Sequence, residues 1–164
     1  MQVGKVFIIN ELLECNHKNG WTIKAIGTSE IWSICNSLRE EDKREIVKVG
    51  DKRTFDGCVF DLIMHYNHPI YKIMHNGETI GIGGICKSYD KQKGIIWLCF
   101  TKDYEKHKLS FLLFSKRFKD KLIKAYGCLS NVVWLGNLSH VEYLTWLGAK
   151  WTPLTKEFAI FELK

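Results

Sequence analysis

The sequence predicts an α+β (mixed α/β) fold, with a central, mostly antiparallel sheet and helices on both faces. Three stretches carry that expectation. Asn76-Gly77 lies between "IYKIMH" and "ETIGIGGICK". Asn-Gly between two such runs is the strongest short hairpin signal, because both residues accept the positive φ of a type I′ turn. "IIWLCF" (95–100) is apolar without a break, as suits a central strand buried on both faces. From it onward the chain reads strand, long helix, strand, helix, strand.

The elements follow in order. "VGKVFIINELL" (3–13) reads as a strand, "HKNG" (17–20) as a turn and "WTIKAIG" (21–27) as a second, alternating strand. "TSEIWSICNSL" places Ile31, Ile34, Cys35 and Leu38 on one helical face, with Thr28 or Ser29 as its cap. The next helix has a capping-box pattern, Ser37 to Glu40, and stops at Gly50. "FDGCVFDLIMHY" forms another short helix. The glycines of "GIGG" (81–84) lie inside a strand, where they permit a bulge or a close backbone approach. The long helix runs from about Glu105 to Tyr126, with Phe111, Phe114, Phe118 and Leu122 as its core face. Strand 131–136, helix 138–147 and two strands, about 149–152 and 157–163, complete the chain. Asn137 stands between the buried strand and the amphipathic helix, where it caps the helix. Asp or Ser should then replace it at little cost in stability.

Composition narrows the class. The 164 residues suit one domain, 1–164, and 46% of them are hydrophobic with only 2 prolines, which is globular and not disordered. No apolar run approaches the ~20 residues needed to cross a bilayer, so no membrane partner is expected. "MQVGKVFIIN" has no small-residue cleavage site after it and reads as a strand, not a signal peptide. The six cysteines form no CxxC pair and sit mostly among apolar neighbours, as free thiols of a reducing compartment do. A net charge of +6 permits contact with polyanions.

Several patterns resemble chemical sites. His65 and His68 in "HYNH" would share a helical face, but no carboxylate or cysteine completes a metal ligand set. "GIGG" follows a hairpin and opens no helix, so it lacks the amide cradle that holds phosphate. Lys106, Lys108, Lys116, Arg117, Lys119, Lys121 and Lys124 make the long helix basic. Its aromatics keep the core period and are not interleaved for base stacking, so nucleic acid is a weak candidate partner.

The order of elements resembles the GCN5-related N-acetyltransferase (GNAT) fold, and within it the phage family of Gp13-like proteins, the internal virion protein A group of podophages. The residues that carry the resemblance span about 21 to 163, leaving the first twenty outside. "IKAIGTSEIWSICNSLREEDKREI" is similar to that family's opening strand and helix pair, with an R-x-x-D-x-x-E motif at Arg39, Asp42 and Glu45. "IIWLCFT" resembles its tryptophan-containing central strand ending in threonine. The stretch from "KHKLSFLLF" to "YLTWLGAKW" resembles its basic helix, N-x-V-x-x-x-N strand and closing W-L-G helix. "FAIFEL" resembles its last strand.

The resemblance implies a GNAT-like fold, a place in the virion or the host bacterial cytoplasm, and contacts with other virion or assembly proteins. It also implies a test of catalytic competence. Active GNAT enzymes carry a Q/R-x-x-G-x-G/A loop after the central strand, whose amides hold the pyrophosphate of acetyl-CoA. Here "TKDYEKHKLSFL" stands there, and no glycine occurs between Gly94 and Gly127. Their N-x-x-A-x-x-F-Y-x-K-x-G-F stretch matches at Asn137 and Gly148. The tyrosine that protonates the CoA thiolate falls at Leu144, with Tyr143 one place earlier and facing elsewhere. The expectation is therefore a protein without catalytic residues or cofactor, acting non-enzymatically through protein contacts. In the alternative, an acetyl-CoA-dependent N-acetyltransferase acting on a host or phage protein, Thr101, His107 and Asn137 are the residues left to contact the cofactor.

Overall fold

The structure, a computed structural model, describes residues 17–51, 53–89 and 93–164. The expected strand 3–13 and Cys15 lie outside the described residues. A seven-stranded sheet runs β1-β2-β3-β4-β5-β7-β6. Its strands are β1 (Trp21–Ala25), β2 (Ile70–His75), β3 (Glu78–Lys87), β4 (Gly94–Phe100), β5 (Leu129–Trp134), β6 (Lys150–Pro153) and β7 (Phe158–Leu163). Every neighbouring pair is antiparallel except β4 and β5, which run parallel. The mostly antiparallel sheet read from the sequence is thus present, with its hairpin at Asn76-Gly77, both at positive φ.

Helices cover both faces. Helices α1 (Thr28–Asn36), α2 (Glu40–Val49) and α3 (Phe55–His65) close one core around Ile34, Leu38, Val59, Ile70 and Ile82. Helices α4 (Tyr104–Tyr126) and α5 (Leu138–Trp146) close the other around Trp21, Ile80, Phe100, Phe111 and Leu129. A register shift between Ile73 and Met74 makes Ile80 the extra residue of β3. Ile80 and Ile82, two apart, therefore belong to opposite cores. The strand glycines allow the close approach expected of them. A Cβ on Gly83 would sit 2.6 Å from the Trp97 carbonyl oxygen.

Four local readings need correction. The cap of α1 is Gly27, not Thr28 or Ser29. Ser37 starts no capping box, because its hydroxyl turns back to the Ile34 carbonyl at 2.8 Å and ends α1. Arg39 precedes α2 instead. The buried line of α4 is Tyr104, Phe111, Ser115, Leu122 and Tyr126, while Phe114 and Phe118 lie half-buried at its side. Finally, β4 is the fourth of seven strands but is not buried throughout; its interior residues from Ile95 to Cys99 are half-buried. The reason is the departure of β5, which pairs with β4 only at Gly94 and Ile95.

Candidate functional site at the β4–β5 opening

β4 and β5 pair only at Gly94 with Leu129 and Ile95 with Ser130, and then part. Parallel strands that diverge leave backbone groups facing a gap, and buried groups of that kind need partners. Here two side chains and one backbone amide supply them. The Asn131 amide donates to the Ile96 carbonyl across the opening at 2.9 Å. The Arg39 backbone N–H donates to the Phe100 carbonyl at 3.0 Å. The Trp134 N–H donates to Glu45 Oε1 at 3.1 Å.

Glu45 is the hub of this arrangement. Its Oε2 accepts from Asn137 Nδ2 at 2.7 Å and pairs with His140 Nδ1 at 2.9 Å. Asn137 is fully buried, and its Oδ1 accepts from the His140 N–H at the start of α5. One residue therefore caps α5 and joins it to α2, 92 positions earlier in the chain. Beside the hub, Arg39 Nε donates to Asp42 Oδ2 at 2.7 Å and its Nη1 reaches Glu105 at 3.3 Å. The guanidinium lies 5.1 Å from the Phe100 ring centroid and 5.0 Å from that of Tyr104, a cation–π position. Burial pushes the Asp42 carboxyl up, outweighing the pull of Arg39 the other way. Asp42 Oδ1 and Arg39 Nη2 are buried without a hydrogen-bond partner.

A cavity of about 570 Å³ adjoins the opening, and its walls come from both cores, including Leu62, Trp97, Val132, Phe118 and Leu147. Its lining is mostly apolar, so it suits apolar matter better than a charged group.

The three residues named from the sequence do not converge. Asn137 belongs to the Glu45 hub. The Thr101 hydroxyl is spent on the Thr79 carbonyl at 2.7 Å and the Ile80 carbonyl at 3.2 Å. His107 faces the β2–β3 hairpin, with its ring nitrogens against Glu78 and His75. At the N-terminus of α4, the Tyr104 and Lys106 amides bond to the Thr101 and Asp103 carbonyls at 3.1 and 3.2 Å. Asp103 and Glu105 stand there too, each already paired with a cation, Lys106 at 2.8 Å and Arg39 at 3.3 Å. Tyr143 is buried against Phe100 and Phe111, at centroid distances of 5.8 and 5.6 Å. Burial pushes its phenol well up, with a Ser115 hydrogen bond pulling the other way. Leu144 is buried beside it. His65 approaches Asp61 at 3.9 Å and His68 meets the Tyr66 ring edge-on. Among the described residues, no three metal-ligating side chains gather, and no helix is long and apolar enough to cross a membrane. The five described cysteines are free thiols.

In the sequence Glu45 is legible only as a member of the R-x-x-D-x-x-E motif, and His140 only as the residue at the alanine position of the N-x-x-A stretch. The three-residue spacing of Arg39, Asp42 and Glu45 was the available signal, since it puts them on one side of a helix.

The sheet order, the splayed parallel pair and the helix placement define a class: the fold is that of the GCN5-related N-acetyltransferases. Spermidine N-acetyltransferase from Vibrio cholerae, solved with CoA and spermine, superposes with a TM-score of 0.62 at 12% identity, over 88% of this chain and 95% of its own. An acetyltransferase from Agrobacterium tumefaciens gives 0.61 at 14% identity, over 88% and 90%. Within that fold the chain belongs to the family described as bacteriophage T7 probable scaffold protein Gp13, matching across residues 71–159. The probable scaffold protein gp13 of Escherichia phage T7 is 39% identical over 75 residues, which are 44% of this chain and 51% of that protein. The match thus spans about half the length of the curated relative.

Proposed function

We propose that this protein is a phage-encoded structural or assembly component that works non-enzymatically, through contacts with other virion or assembly proteins. The phage family supplies the setting. The observation that carries the non-enzymatic half is the Glu45 hub, which ties α2 to β5 and α5 at the opening between β4 and β5. The residues after β4 do not fit the pyrophosphate of acetyl-CoA. They offer no glycine for close backbone approach, and two first-turn amides are already bonded. Thr101 and His107 are engaged elsewhere. A finer reading makes the protein an internal component of the particle.

An acetyl-CoA-dependent N-acetyltransferase is the second reading, favoured by the splay of β4 and β5 and the apolar cavity beside it. Melting curves separate the two. A ligand at a hundred times its Kd stabilises the native state by ~2.7 kcal/mol, which raises Tm by about 5–11 °C for a domain of this size. We expect no such rise with acetyl-CoA, or an equal one with ATP that fades with salt as charge attraction does. A rise with acetyl-CoA alone that persists in salt would establish the second reading. Mass spectrometry of purified particles beside infected-cell lysate tests the first: presence in particles supports an internal component, and presence in lysate alone supports an assembly role.

A further inference from the structure

His75 ends β2, and His107 lies one turn into α4. Their Nδ1 atoms face each other at 2.9 Å. The outer nitrogen of each ring is engaged by a group that can only accept. His75 Nε2 lies 3.0 Å from the Asn19 carbonyl oxygen, and His107 Nε2 lies against the Glu78 carboxylate. Both neutral rings must then carry their proton on Nε2 to make these bonds. That leaves two Nδ1 lone pairs 2.9 Å apart, a repulsion relieved by a proton between them or by a metal ion bound to both from one side. The rings cross at 74° with centroids 4.8 Å apart, and Trp21 stacks on His75 at 4.4 Å, which fixes the ring plane.

We propose that His75 and His107 bind one late first-row divalent metal ion, with each Nδ1 as a ligand. Imidazole nitrogens suit copper, nickel and zinc at ~2.0–2.1 Å. Two such bonds at about a right angle place the nitrogens close to the observed 2.9 Å separation. Metal-bound histidines characteristically donate their other N–H to a carboxylate or a backbone carbonyl, which fixes the tautomer and raises ligand basicity. Glu78 and the Asn19 carbonyl occupy those two outer places. Among the described residues no third side chain joins the pair, so water completes the coordination. The ion would pin the β2–β3 hairpin to the first turn of α4 and to the turn before β1. It is independent of the acyl-transfer question, because His107 is engaged away from the β4–β5 opening.

The test is calorimetric titration of the full chain with copper(II), nickel(II) and zinc(II) salts, separately, in non-chelating buffer near neutral pH. One ion per chain is expected, tightest for copper. His107→Gln should weaken binding at least tenfold, and Glu78→Gln, which keeps both ligands, by about tenfold. The His65→Gln/His68→Gln variant should bind as the parent does. Copper bound to the parent should show two nitrogen ligands by electron paramagnetic resonance, and one after His107→Gln. Equal affinity in parent and His107→Gln would overturn the assignment. So would the absence of binding in the parent, which would leave a shared proton as the only cation between the rings. Circular dichroism of each variant separates lost binding from lost folding.

Discussion

At Asn137 the side-chain oxygen and nitrogen have different partners. The oxygen caps α5, and the nitrogen donates to Glu45. Replacement by Ala removes a cap and one donor from a nearly buried carboxylate, at a cost of about 1–3 kcal/mol. Asp keeps the cap but sets a second carboxylate against Glu45, so the low cost expected of Asp from capping alone does not follow. Urea titration should therefore rank Asn137→Asp at least as harmful as Asn137→Ala, with Asn137→Ser milder. A well-tolerated Asp would contradict the Glu45 contact. His17 offers a pH test. It meets Phe114 and Phe118 edge-on at 5.3 and 5.4 Å. Burial, then Lys121, lowers its pKa below the ordinary 6.5. The unfolded chain thus binds the proton better, so the His17 contribution is complete above about pH 6.5 and is lost as pH falls below it. Stability measured between neutral pH and pH 5 should fall less in His17→Gln than in the parent.

The long helix α4 shows how an element's period and its packing can differ. Phe111 is 1% exposed and touches the rings of Trp21, Phe100 and Tyr143. Phe114 stacks on Trp21 at 4.9 Å and on Phe118 at 5.5 Å, but at the side of the core. Phe111→Ala should cost about 3–5 kcal/mol and Phe114→Ala clearly less, because a half-exposed site can collapse or admit water. Paired denaturation curves decide this, and equal losses would refute the buried line assigned to α4.

Across the whole molecule, Glu45 joins α2 to β5 and α5, beside a strand pair held by only two residue pairs. Glu45→Ala removes an acceptor shared by three donors and leaves the Trp134 N–H and Asn137 Nδ2 in want of partners. A double-mutant cycle between Glu45→Ala and Asn137→Ala should show a coupling of about 0.5–3 kcal/mol. Additive losses would mean that the two residues act separately. Hydrogen exchange at the Trp134 amide should quicken in Glu45→Ala, since its bond crosses between elements.

The sequence by itself determined most of the elements. The Asn-Gly hairpin, the ends of β2, β3 and β4, the extent of α4 and the strand–helix–strand finish all rest on local chemistry: turn dihedrals, periodicity and glycine stops. The cap at Asn137 was legible for the same reason, because its acceptor role is satisfied three residues away. Tertiary structure alone decided what fills the β4–β5 opening. Glu45 lies in a run of charged residues that looks like a solvated helix face, and its partners are 89 to 95 positions distant. The burial of Asp42 and the two facing nitrogens of His75 and His107 were equally hidden. Periodicity reports which side of an element is apolar. It says nothing of which polar side chain meets a backbone group left unpaired where two strands part, since that depends on where the chain returns.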